Sequence, residues 1–295
     1  GRFVTEELKG EGVDTSFVKV DPERLTALVL LGIRNKQEFP LIFYRENCAD
    51  MAICEDDIDP NFIKSSRSLV LTGTHLSNYK TEAALVKAIK IAKKSGVKIA
   101  LDIDFRPNLW GLSGHNDGEN RYIKSHSVTE KIQQYLHYFD LIVGTEEEFN
   151  IAGGSSNTIQ SLKSIRQISG AVLICKRGPL GSTCFSGAVP NKFSDGKTGK
   201  RFKIEVFNVL GAGDGFMAGL LRGWLNNEKW STSLTYANAC GALAVSRHGC
   251  APAYPSLKEL NFFLNNRRFL KSLTELHYGC SFYLQPNQNL DQNQS

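Results

Sequence analysis

The chain has 295 residues, 41% of them hydrophobic and 22% charged, with a formal net charge of +5. That is enough chain for one large globular unit or two modest ones, and the balance excludes a disordered or fibrous protein. The positive excess is thin. Its densest stretch, residues 197–203, has no aromatic ladder, which excludes a nucleic-acid footprint, and no apolar run reaches membrane-spanning length.

Phe3, Val4 and Leu8 form the apolar stripe of a helix already under way at residue 1, and no Met precedes it. The chain is therefore expected to begin inside a domain. Residues 13–45 carry strand-rich runs at 25–33 and 41–44 around a turn near Asn35-Lys36, which predicts a small antiparallel β-lid. Strands are then expected at 68–73, 97–102, 140–143 and 171–176, with helices at 81–94, 146–151 and 158–168 between them. This alternation predicts an α/β fold of three layers, a mostly parallel central sheet flanked by helices. Residues 182–207 read as a β-hairpin region with a loop at 194–200. Helices follow at 214–225, 231–246 and 257–264, and Phe216 and Trp224 read as core. The Asn/Gln-rich end, 285–295, predicts disorder.

The seven cysteines are odd in number and form no CxxC pair, so neither a disulfide framework nor a zinc site is indicated. A reducing cytoplasm fits them best. His75 and His248 lack metal-ligand spacing and read as structural.

The chemistry concentrates in Phe207-Asn-Val-Leu-Gly-Ala-Gly-Asp-Gly-Phe216. A strand ends, small residues follow and an amphipathic helix begins. Gly211 and Gly213 let the backbone turn its amides toward one point at the positive end of the helix, a place for an anion whose charge grows during reaction. Asp214 in the first turn could be a simple cap. Beside two glycines it suits a base that takes a proton from an attacking hydroxyl. A dinucleotide fingerprint is excluded because no acidic residue ends a following strand. Gly196-Lys197-Thr198 imitates the end of a P-loop, but the required first glycine is Asn191.

This turn, placed in the last third of an α/β chain, resembles the second signature of the ribokinase-like (PfkB) carbohydrate kinases. Three further segments are similar to that family: Lys176-Arg-Gly-Pro-Leu-Gly181, Gly144-Thr-Glu-Glu147 in the place of an Asn-x-x-Glu motif, and Ala237-Asn238-Ala239. The resemblance implies Asp214 as catalytic base and the amides of Gly211, Ala212 and Gly213 as the anion hole. It implies ATP contacts at Lys176, Gly178, Gly181 and Asn238, and Glu147 holding Mg2+ through water, which suits an ion that keeps its hydration. Glu146 and Glu148 are expected only to favour a helix start.

The segments Leu101–Gly111, Phe43–Asp50, Val143–Phe149 and 246–255 resemble the members of the family that act on keto-deoxy sugar acids. Arg45 and Arg106 are then the candidates for an anionic substrate, since a guanidinium offers a planar fork to a carboxylate. For Arg45 a surface ion pair with Glu46 or Asp50 is the competing reading. Asp102 and Asp104 are expected to orient Arg106. The implied partners are a small sugar acid and ATP, with a homodimer through the lid. A truncated, non-catalytic nucleotide-binding remnant is the alternative from another class.

Two departures from the family pattern stand out. Asn208 and Leu210 occupy places where many relatives carry an acidic residue and a Thr near a monovalent-cation site, which leaves activation by a monovalent cation open. The family's first strand and glycine-rich substrate signature are expected before Gly1. Residues 1–266 are accordingly expected to form an N-terminally incomplete kinase domain, with 267–295 as a tail.

Overall fold

A computed structural model of the chain describes residues 1–33, 40–113 and 123–266. The expected turn at Asn35-Lys36 and the 267–295 tail lie outside these residues. Among the described residues the strands are β1 (Leu28–Leu31), β2 (Leu41–Tyr44), β3 (Ser68–Thr72), β4 (Lys98–Asp102), β5 (Leu141–Thr145), β6 (Val172–Lys176), β7 (Ser182–Phe185) and β8 (Lys197–Thr198). The helices are α1 (Arg2–Gly10), α2 (Pro60–Ser65), α3 (Tyr79–Lys94), α4 (His126–Gln133), α5 (Glu146–Gly153), α6 (Thr158–Ile168), α7 (Ala212–Leu225), α8 (Trp230–Val245) and α9 (Leu257–Asn265).

The main sheet runs in the order β3-β4-β5-β6-β7-β8. Neighbours from β3 to β6 are parallel, and β7 and β8 are antiparallel additions at one edge. Side chains alternate between the two faces of this sheet. Ile99, Leu101, Ile142, Leu173 and Cys175 face one way and pack with Leu85, Ile89, Ile132, Phe149, Leu162 and Ile165 of α3 to α6. Ala100, Leu141, Val143 and Ile174 face the other way and pack with Phe216, Met217, Leu220 and Leu234 of α7 and α8. Strands buried on both faces read as continuous apolar runs, which is why they were legible in the sequence. The expected three layers are present.

α7 and α8 approach closely because Gly219 faces α8. A methyl group there would stand 2.6 Å from Tyr236 O and 2.9 Å from Ala237 Cα. Gly219→Val is therefore expected to destabilise the fold by about 2 kcal/mol or more, since the contact is backbone and cannot swing aside. Denaturant unfolding measures this, and an unchanged midpoint would contradict the packing.

Three expectations change. β1 spans 28–31 rather than 25–33, and Leu25 is left 81% exposed. β8 falls inside the expected 194–200 loop, pairing Thr183 with Thr198 and Cys184 with Lys197. Beyond it the chain leaves the sheet to lie along α8, where the Lys200 amide donates to Thr235 Oγ1 at 2.9 Å. α2 and α4 were not anticipated. α4 buries only Val128 and Ile132, too little periodicity to register. The start of α2 is set by the Asp59 side chain accepting from Asn61 and Phe62 amides, with Pro60 in the first turn, a capping signal the sequence does carry.

The lid is the antiparallel pair β1–β2, separate from the main sheet. Leu28, Leu30, Ile42 and Tyr44 stand across from one another in register and are exposed.

Candidate active site

The carboxyl ends of β3 to β6 and the first turn of α7 meet at one edge of the sheet, the place where open α/β sheets bind ligands. Gly211 stands at the N-cap of α7 in the left-handed region, with φ of 78°, and no side chain caps the helix. Substitution there is barred twice: the backbone conformation disfavours a Cβ, and a Cβ would lie 2.6 Å from both Cys250 Sγ and Tyr254 Oη. The Ala212 amide is engaged at 3.3 Å with Val209 O. The amides of Gly211 and Gly213 have no acceptor among the described residues, so two of the three expected hole donors are open and the third, Ala212, is held by a long bond within the chain.

Asp214 points out of the apolar interior, into this opening. Tyr254 Oη donates to its Oδ2 at a long 3.4 Å and also lies 3.3 Å from Cys250 Sγ. Crowding by the surrounding atoms and the nearby Asp104 charge raise the Asp214 pKa. Lys176, Arg106 and the Tyr254 hydroxyl pull it down. The residue stays solvent-exposed. Tyr254→Phe removes a stabiliser of the carboxylate and is expected to move the acid limb of kcat/KM to higher pH. Turnover on the alkaline side should change by no more than about fivefold. A pH–rate profile whose acid limb stays in place would show that Tyr254 does not act on Asp214.

Lys176, the last residue of β6, is almost buried. Its Nζ lies 3.1 Å from both Asp102 carboxylate oxygens and 3.8 Å from Glu148 Oε2. A methyl group on Gly213 would stand 3.7 Å from this ammonium, which places Lys176 beside the amides of α7. Burial opposes the charge on Lys176, but Asp102 and Glu148 outweigh it and push its pKa above the ordinary lysine value. Burial pushes Asp102 up to about 6, with Lys176 pulling the other way. Asp102 thus holds Lys176 rather than Arg106.

Asp104 does hold Arg106, through Nη2 to Oδ1 at 2.6 Å. Its other oxygen accepts from Thr72 and Thr74 hydroxyls at 2.9 and 2.7 Å. These bonds keep Asp104 at φ of 38°, unusual for a residue with a side chain. Burial disfavours its charge, yet Arg106, the two hydroxyls and Arg45 hold its carboxyl below the ordinary range. The Arg106 guanidinium stands 5.6 Å from the Phe43 ring of β2, so the lid reaches the site. Arg45 pairs with Asp50 at 2.5 Å, which is the competing ion-pair reading, and this pair lies against His75. Burial and the Arg45 charge lower the His75 pKa and keep it neutral.

The three glutamates at the start of α5 divide their work. Glu146 pairs with Arg177 at 3.4 Å. Glu148 closes a capping box with Thr145 and also faces Lys176, a second role beyond favouring the helix start. Glu147 is left exposed. Gly144 packs under Ile103, whose Cδ1 would lie 2.8 Å from a Cβ placed there.

On the other side of β6, Gly178 and Gly181 both have positive φ. Asn238 braces this turn. Its Oδ1 accepts from Ser182 Oγ at 2.8 Å and its Nδ2 donates to Lys200 O at 2.9 Å, so its amide is spent on the protein. The sequence singles out Asp50 only as a possible partner of Arg45, and Thr72, Thr74 and Tyr254 not at all. Among the described residues no cluster of three or more His, Cys, Asp or Glu could hold a metal ion.

A parallel sheet whose carboxyl edge joins an uncapped helix N-terminus, an ammonium and an outward carboxylate is the layout of a phosphoryl-transfer enzyme. The chain belongs to the pfkB family of carbohydrate kinases, whose model matches residues 1–257. It is 28% identical over 264 residues to a 5-dehydro-2-deoxygluconokinase of Halalkalibacterium halodurans, covering 88% of this chain and 75% of the relative. Its fold is similar to a putative Ribokinase II from E. coli crystallised in complex with ATP and Mg2+, at TM-score 0.76 and 22% identity, covering 90% and 79% of the two chains. It is also similar to a fructokinase double mutant from Vibrio cholerae O395 in its fructose-, ADP- and potassium-bound form, at TM-score 0.71 and 24% identity, covering 89% and 80%.

Proposed function

We propose that the chain is an ATP-dependent kinase for the terminal hydroxyl of a keto-deoxy sugar acid, with 5-dehydro-2-deoxy-D-gluconate of myo-inositol catabolism as the first candidate. The sugar-acid part rests on one observation: beside the lid residue Phe43, the guanidiniums of Arg106, paired with Asp104 at 2.6 Å, and of Arg45, paired with Asp50 at 2.5 Å, lie close enough for both charges to act on Asp104. A neutral sugar needs no such pair, whereas a carboxylate matches a guanidinium fork. The name of the Halalkalibacterium relative points to the same substrate.

Asp214 takes the proton of the acceptor hydroxyl as its oxygen attacks the γ-phosphorus. The bond from that phosphorus to the bridging oxygen breaks, and ADP leaves. The open amides of Gly211 and Gly213 and the Lys176 ammonium meet the charge on the moving phosphoryl group. The turn at Gly178 and Gly181, braced by Asn238, receives the nucleotide. Magnesium neutralises phosphate charge when bound with ATP, and Glu147 would hold it through water, being the carboxylate of its trio left unpaired by Arg177 or Lys176. Residues 1–266 act as the kinase domain. The exposed lid stripe of Leu28, Leu30 and Ile42 supports a homodimer through the lid. The six described cysteines are free thiols, which supports a cytoplasmic location.

The test is an ATP-dependent assay of the full chain with 5-dehydro-2-deoxygluconate, 2-keto-3-deoxygluconate and fructose side by side. The first should be turned over with the highest kcat/KM. Preference for fructose would overturn the sugar-acid reading. Nucleotide binding without turnover of any of the three would mark a non-catalytic module.

A further inference from the structure

We infer that the Asn208 carboxamide does in this chain what a bound monovalent cation would do beside the glycine turn, so that neither stability nor turnover responds to potassium. The turnover half rests on the kinase reading above; the stability half does not.

Asn208 lies three residues before Gly211 and is 2% exposed. Its Nδ2 donates to two backbone carbonyls of the loop after α8, Arg247 O at 2.5 Å and Gly249 O at 3.3 Å. Its Oδ1 accepts the Leu210 amide at 2.9 Å. The orientation of the amide is fixed by its neighbours, since an N–H stands on one side and two carbonyl oxygens on the other. The same junction is closed by Phe207 and Asn208 amides, which donate to Val245 O at 2.8 and 3.4 Å. The loop it holds also carries Cys250 and leads to Tyr254, the two side chains packed against Gly211. Asn208 is thus a positioning residue: it fastens the turn that aims the hole amides and Asp214.

A cation at this point would need those carbonyls turned inward upon it, with a negative charge near by to offset its dehydration. Here the carbonyls already point at the two hydrogens of an NH2 group. Displacing it would strand a buried amide without acceptors. Asn208 brings no charge, and the Leu210 side chain brings no oxygen. The donor set does not fit a cation, and the neutral clamp makes one unnecessary.

Thermal unfolding and ATP turnover can be compared in potassium chloride and in tetramethylammonium chloride at matched ionic strength. For the natural chain the two salts should give the same Tm, and turnover rates within about twofold once ionic strength is matched. Asn208→Asp places a carboxylate against the same two carbonyls. It should lower Tm in tetramethylammonium, with potassium restoring it by several degrees in a concentration-dependent way, as a ligand of the folded state does. A natural chain whose Tm rises with potassium overturns the inference, and so does an Asn208→Asp variant as stable as the natural chain in tetramethylammonium. If Asn208→Asp does not fold in either salt, the Tm comparison on the natural chain still decides. Absence of turnover with every sugar tested, with Tm behaving as stated, would sink the kinase reading and leave the clamp standing.

Discussion

Asp214→Asn is expected to lower kcat by about 10²- to 10⁴-fold, the usual contribution of a positioned general base. The dissociation constants for ATP and sugar acid should be largely kept. The substitution keeps volume and removes the negative charge together with the ability to take a proton. The flanking geometry should survive, because Gly211 sets the backbone through its own positive φ and not through the Asp214 side chain. An amide at this position also cannot serve as a first-turn anion facing Lys176 and Arg106, two charges the carboxylate feels. Ligand affinity should therefore move little, and in the favourable direction for a phosphate if at all. The natural enzyme should lose kcat/KM as pH falls through a value above that of an ordinary aspartate, since crowding raises the Asp214 pKa and only the ionised form acts. The residual activity of the variant should lack that limb. Steady-state kinetics with equilibrium binding of ATP checks this; near-normal turnover would remove Asp214 from the mechanism.

How much of this was legible in the sequence depends on how local each signal is. Strands β4, β5 and β6 announce themselves because burial on both faces makes each an unbroken apolar run, and the glycine turn because Gly211 and Gly213 precede an acid at a helix start. The single-residue roles were partly legible. Lys176 ends a strand and was named, but its grip by Asp102 spans 74 positions and leaves no trace in either neighbourhood. Asp102 and Asp104 lie two apart, look equivalent, and do different work: one holds an ammonium across the sheet and the other a guanidinium beside the lid. Tyr254 reaches Asp214 across 40 positions from a loop with no periodicity at all. Asn208 was noticed only as a departure. Its meaning needed the two carbonyls that the fold brings to it.

Lys176→Met should be the most damaging single change to stability, by about 3–5 kcal/mol, because it leaves Asp102 buried without its counter-charge. The sign of its pH dependence follows from the two shifts. Lys176 has a raised pKa in the folded state, so the stabilisation it gives is fully present below the ordinary lysine pKa and is lost only as pH climbs through the raised value. Asp102 is also raised, to about 6, so the folded state favours its protonated form, and this contribution fades as pH rises through about 6. Without Lys176 the Asp102 pKa must climb further, since the ammonium was the force lowering it. The deficit of Lys176→Met should therefore be largest at pH 7 to 8 on these grounds, roughly the range where Asp102 is forced to ionise, and shrink toward pH 5 as it protonates. Adding Asp102→Asn should recover part of the lost stability at neutral pH, because an amide carries no charge to strand. It should recover none of the lost turnover, which depends on the ammonium beside Gly213 and is expected to fall by at least about 10²-fold. Urea unfolding of the single and double variants at two pH values separates these effects. A deficit that is the same at both pH values would show that Lys176 contributes packing rather than charge.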